Sequence, residues 1–206
     1  MKNAIFLLAS FVLLISCGQG SQKKKVETKA DKQGKKVTEN VEELRLKTKT
    51  GKEFVVETKS TSASLNDIVV SPKGFKNTKE SFTVKDADPV VDVFTADLNK
   101  DGFDELYVVT MSAGSGSYAT IYAWSSNRDK SVTPVHIREL PEKEEEEVFK
   151  GYMGHDSVYV AGDRLCRKFP VYKDGDANCC PSGGTKVVKY VLKQGEATWL
   201  LEVEKN

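Results

Sequence analysis

Histidine and cysteine are scarce in this 206-residue chain, which has two of the first and four of the second. No C-x-x-C pair occurs, and only His136 and His155 are on hand to complete a nitrogen–sulfur site, so the spacing excludes a zinc ribbon or finger. The G-x-S-x-G elbow of α/β-hydrolases is also missing. No long stretch carries a 3.6-residue apolar period, which excludes a helical bundle, and nothing repeats at a fixed interval. No apolar run reaches the roughly 20 residues that a helix needs to cross a bilayer. At 39% hydrophobic and 9% aromatic, the composition nonetheless suffices for one core.

What is present begins with "MKNAIFLLASFVLLISC": one lysine, a mostly apolar run from Ala4 to Ile15, then a small residue before cysteine. That layout is a secretory signal, expected over residues 1–16. Leu14-Ile15-Ser16-Cys17 resembles the lipobox of bacterial lipoproteins, which implies that Cys17 becomes the lipid-bearing first residue of the mature protein. Several acyl chains on one cysteine anchor stably, at about 0.8 kcal/mol per buried methylene. The expected location is the bacterial cell envelope, periplasmic or at the outer-membrane surface. Residues 17–52 then read as a solvated tether: seven lysines fall between positions 23 and 36, with almost no apolar side chains to offset the entropy of ordering.

Residues 53–206 read as the folded domain. From residue 52 onward there are 20 Lys and Arg against 25 Asp and Glu, a net charge of −5, although the whole chain is formally +1. An acidic body favours a basic protein partner, and nucleic acid is not expected. Runs such as "EFVVETK", "NDIVVS", "ELYVVTM", "YATIYAW", "RKFPVY", "KVVKYVL" and "TWLLEVE" are short, rich in β-branched and aromatic residues, and separated by turn clusters such as "SPKG", "NKDG" and "PSGG". The pattern predicts an all-β fold, an antiparallel β-sandwich or flattened barrel, with short helical turns at most. "PEKEEEEVFKGY" is the best helical segment.

Three features carry candidate chemistry. In an oxidising compartment one disulfide is expected, from Cys166 to either Cys179 or Cys180, closing a loop of about 14 residues and contributing about 3 kcal/mol in the loop-entropy account. In "DLNKDGFDE", Asp97, Asn99 and Asp101 fall at positions 1, 3 and 5 of a calcium loop, Gly102 follows, and Glu105 takes position 9, yet position 12 is Val108. The same residues also suit a hairpin turn in which Asp and Asn side chains cap the backbone. Finally, "SAGSGSY" at 112–118 places two glycines, three serines and a tyrosine between two strand-like runs. A tight turn needs only about two such residues. A serine nucleophile there, with His155-Asp156 as partners, would make a β-fold hydrolase, but His155 reads more readily as a loop histidine hydrogen-bonded to backbone than as a base.

Taken together, "VFTADLNKDGFDELYVVTMSAGSGSYATIYAW", "GYMGHDSVYV", "RKFPVYKDGDANCCPSGGT" and "VLKQGEATWLLEV" resemble, in order, the periplasmic and membrane-bound inhibitors of invertebrate-type lysozyme. The resemblance spans about residues 54–203. It implies a non-enzymatic protein without cofactor, whose Ser-Gly-x-Tyr loop, here Ser115-Gly116-Ser117-Tyr118, enters the lysozyme cleft. Gly151, Tyr152, Gly154 and His155 stand as a second contact loop or as turn residues. The implied partner is a lysozyme, the invertebrate type first. The contrasting expectation is a calcium-stabilised envelope-binding module without inhibitory activity.

Overall fold

The computed structural model describes residues 24–25, 41–138 and 147–204. Cys17, where a lipid anchor is expected, most of the lysine-rich segment expected to be a tether, and the acidic residues Glu144, Glu145 and Glu146 lie outside them. Strands β1 (Lys24–Lys25), β2 (Val41–Lys47), β3 (Glu53–Ser60), β4 (Asn66–Lys73) and β5 (Phe82–Ala87) form one sheet in chain order. Strands β6 (Val90–Ala96), β7 (Glu105–Met111), β8 (Ala119–Asn127) and β9 (Ser131–Pro134) form a second. The third follows the order β10-β14-β13-β12-β11, built from β10 (His136–Ile137), β11 (Ser157–Ala161), β12 (Arg164–Pro170), β13 (Thr185–Gln194) and β14 (Trp199–Val203). Among the described residues every strand pairing is antiparallel except β10 with β14.

The middle sheet is buried on both faces, and β7 shows why. Side chains alternate across a strand: Leu106 and Val108 pack with Phe54, Val56, Ile68 and Val70 of the first sheet, whereas Tyr107 packs with Leu165, Phe169, Tyr190 and Leu201 of the third. A strand buried on both sides reads as a continuous apolar run, which is what "LYVV" is. The result is a stack of three sheets with two cores. It is a sandwich, and the flattened-barrel alternative is not realised. Trp124 lies in the core between the first and middle sheets, and Trp199 packs against the core between the middle and third sheets. Among the described residues the helical content is one short 3₁₀ turn, Glu147–Phe149, within the segment expected to be most helical, and no helix is long and apolar enough to cross a membrane.

The domain boundary expected at residue 53 is too late. Val41–Lys47, read as tether, pairs along its whole length with β3. Its sequence VEELRLK alternates charged outward positions with inward Leu44 and Leu46, as suits a strand at the margin of a sheet, and Arg45 pairs there with Glu43 and Glu53.

Candidate functional site

Three loops meet at one end of the middle and third sheets. The first, residues 112–118, joins β7 to β8. It is closed at its base by Ser112 N donating to Tyr118 O at 2.9 Å and Tyr118 N donating to Ser112 Oγ at 2.8 Å. Ala113, Gly114, Ser115 and Tyr118 are exposed. Ser117 takes a left-handed backbone, φ 45°, which for a non-glycine residue stores strain that the surroundings must hold.

The second loop, 150–156, supplies that hold. His155, also left-handed at φ 56°, donates its amide to Gly116 O at 2.7 Å and to Ser117 O at 3.1 Å. A Cβ on Gly154 would lie 1.9 Å from Gly116 O, so only glycine permits this approach. The third loop, 171–184, adds Asn178, whose Nδ2 donates to Ser115 O at 3.2 Å, and Asn178 is in turn held by Tyr172 Oη on its carbonyl at 2.7 Å.

Beneath the contact lies a buried ion pair. Arg167 Nη1 donates to Asp156 Oδ2 at 2.9 Å, to Tyr152 Oη at 3.0 Å and to Ala119 O at 3.2 Å. Asp156 Oδ2 also accepts from Ala119 N at 3.0 Å and from Tyr152 Oη at 2.6 Å. Burial works against the Arg167 charge, but Tyr190, Asp156 and Tyr152 outweigh it and hold the guanidinium above its ordinary value. Burial and the bond to Asp156 push the Tyr152 hydroxyl up, so it stays a proton donor. Since Ala119 directly follows Tyr118, this network fixes the point at which the loop re-enters the sheet.

Tyr118 is 44% exposed, and its ring meets Tyr152 edge-on at 5.7 Å. Tyr152 in turn contacts Phe169 at 4.7 Å and Phe149 at 5.8 Å. A chain of aromatic rings thus runs from the exposed tip into the core. The Tyr118 ring lies over Gly116, where a Cβ would fall 2.3 Å from Tyr118 Cε2.

The structure therefore brings together Ser115, Gly116, Ser117 and Tyr118 with Gly151, Tyr152, Gly154 and His155. The second group braces more than it projects: Gly154 is buried, Tyr152 is half-buried, and of this stretch Met153 is the exposed side chain. Arg167, Tyr172 and Asn178 all lie within RKFPVYKDGDANCCPSGGT, but nothing local in that run marks which of its side chains reach the loop at 112–118. The serine–histidine–aspartate arrangement is not assembled among these residues. Asp156 is engaged by Arg167, and the His155 ring stacks on Tyr172.

The expected disulfide is not formed. Cys166, Cys179 and Cys180 are free, the first buried in β12 and the other two exposed. Cys166 sits four residues before the end of β12, about 13 Å of strand, whereas Cys179 and Cys180 lie in the loop beyond that end. A bridge requires Cα atoms within about 7 Å.

The β6–β7 turn lies at the other end of β7. Asp97 accepts the amides of Asp101 and Gly102 at 3.1 Å each, Asn99 accepts Asp101 N at 2.9 Å, and Asp101 accepts Phe103 N at 2.9 Å, as a side-chain-capped turn does. Lys49 caps it with an ion pair to Asp97 and lies 3.7 Å from Asp104. Glu105, the first residue of β7, is completely buried. Its Oε2 accepts from Leu98 N at 2.9 Å, while its Oε1 has no partner. Burial pushes this carboxyl up to about 8, with Asp97, Asp101 and Asp104 adding repulsion. A shallow recess lined by Phe82, Tyr122, Trp124, Pro134 and His136 includes no residue of either region.

None of the family models, curated proteins or solved structures compared with the chain matches it.

Proposed function

We propose that the protein is a lysozyme inhibitor, tethered by lipid at the bacterial envelope, that protects the cell wall by inserting the Ser115–Tyr118 loop into the lysozyme cleft. One observation carries the reading: a loop of small residues with an exposed tyrosine is rigidly braced from behind by Gly154, His155, Asp156 and Arg167. Pre-organisation of this kind favours binding, because little side-chain and loop entropy is lost on docking.

The chemistry of the target suits the loop. Lysozyme works between two carboxyl groups, one kept protonated and one ionised, at the floor of a groove sized for sugars. The Ser115 hydroxyl both donates and accepts, so it suits either carboxyl. Gly114 and Gly116 keep the loop narrow, and Tyr118 adds a rigid ring with a polar tip. Inhibition is by occlusion and needs no catalytic group. The invertebrate-type enzyme is the first expected target, on the sequence resemblance.

The test titrates the full chain into cell-wall lysis assays with invertebrate-, goose- and chicken-type lysozymes, beside a Ser115→Ala/Tyr118→Ala variant verified as folded by circular dichroism. The expected result is inhibition of the invertebrate-type enzyme that falls at least a hundredfold in the variant. Folded wild-type protein that inhibits no class would sink the proposal.

A further inference from the structure

We propose that the β6–β7 turn is a calcium site in which Asp97, Asn99, Asp101 and Glu105 supply oxygen ligands while the Lys49 ammonium competes for the same negative charge. The cluster has the right donors: carboxylate oxygens of Asp97, Asp101 and Glu105 lie within 4.8 Å of one another. Calcium binds oxygen at about 2.3–2.6 Å, so ligands on opposite sides of one ion are at most about 5 Å apart. No thiol or imidazole belongs to the cluster, which disfavours zinc and copper.

An acidic cluster alone would not justify an ion. The independent sign is Glu105, fully buried, with Oε1 lacking any hydrogen-bond donor. A buried carboxylate oxygen is ordinarily satisfied by a donor or a cation. The charge balance points the same way. Asp97, Asp101 and Asp104 surround the turn beside Glu105, and among the described residues the ammonium that reaches into it is that of Lys49. Lys100, though part of the turn, pairs with Asp163 on the neighbouring sheet instead. Gly102, at φ 93°, allows the turn to close on itself. Lys49 belongs to the β2–β3 turn, whose backbone amide also binds Asp104 at 2.6 Å, so it enters the site from another sheet. Removing its charge should favour the metal.

The inference is independent of lysozyme inhibition, since the site and the Ser115–Tyr118 loop occupy opposite ends of β7. The test uses the full chain stripped with chelator and then titrated with calcium chloride, and separately with terbium. Tyr107 Oη lies 3.5 Å from Glu105 Oε2, close enough for the ring to sensitise terbium emission. We expect saturable emission displaced by calcium, one ion per chain, and a Kd on the order of 0.1 mM. Calcium at about a hundredfold above Kd should raise Tm by roughly 5–10 °C. Glu105→Gln should weaken calcium at least tenfold, and Lys49→Gln should tighten it severalfold. Asp101→Asn, on the more open side of the turn, gives the same weakening if Glu105→Gln fails to fold. Folded wild-type protein without sensitised emission and without a calcium-dependent Tm shift would overturn the site. So would calcium affinity unchanged by both Asp101→Asn and Lys49→Gln, which would mark nonspecific surface binding.

Discussion

At Gly154 the backbone has no room for a side chain, and the neighbour that fills the space is a carbonyl rather than a movable group. The Gly116 oxygen would sit 1.9 Å from a Cβ, and φ is 86°, a conformation L-residues avoid. The left-handed region costs about 1–2 kcal/mol for alanine, and displacing the loop would sacrifice the two bonds from the His155 amide at about 1 kcal/mol each. Gly154→Ala should therefore lose about 2–4 kcal/mol in urea denaturation and should weaken lysozyme inhibition although residue 154 itself is buried. Gly114→Ala is the control. Nothing lies within 4 Å of its Cβ and its φ is not positive, so it should change stability by less than about 0.5 kcal/mol. Both glycines look alike in the sequence. The difference lies in a contact between residues 38 positions apart, which no local pattern encodes.

Among the elements, the interior strands were legible and the margins were not. "ELYVVTM" and "KVVKYVL" advertise burial through their own composition, and they became β7 and most of β13. β2 hid behind its charge: four of the seven residues of VEELRLK are ionic, as suits the outer part of a sheet, so it blended into the lysine-rich segment before it. β9 carries little signal of its own, being four residues long and ending in proline. The buried pair of Arg167 and Asp156 was likewise invisible, since it depends on the register of the β11–β12 hairpin, which places Asp156 beside Arg167 only once Ser157 is paired with Lys168. The corrected boundary has a measurable consequence. A chain starting at Glu53 lacks β2, uncovers the β3 edge and removes Leu46 from the first core. Its Tm should fall by about 5 °C or more against a chain starting at Asn40, and it should self-associate through the bared edge. Equal melting temperatures would show that β2 adds nothing to the folded body.

On the scale of the whole molecule, the proposed inhibition would divide the work of binding between charge and shape. The body from residue 52 onward carries a net charge of −5, while the loop from Ser112 to Tyr118 carries no ionisable group except the Tyr118 phenol. On that proposal, long-range attraction would come from the body and short-range fit from the loop. Fields of this size act over a Debye length, about 30 Å at 0.01 M salt and about 8 Å at 0.15 M. Against a basic lysozyme, the association rate should drop on the order of tenfold over that salt range, and the dissociation rate should barely move. Ser115→Ala and Tyr118→Ala should do the opposite, raising the dissociation rate and leaving the association rate within a few-fold. Surface plasmon resonance at two ionic strengths separates the two. If salt instead accelerated dissociation and left association alone, the acidic body would be part of the docked interface itself, and the neutral loop would no longer account for the fit.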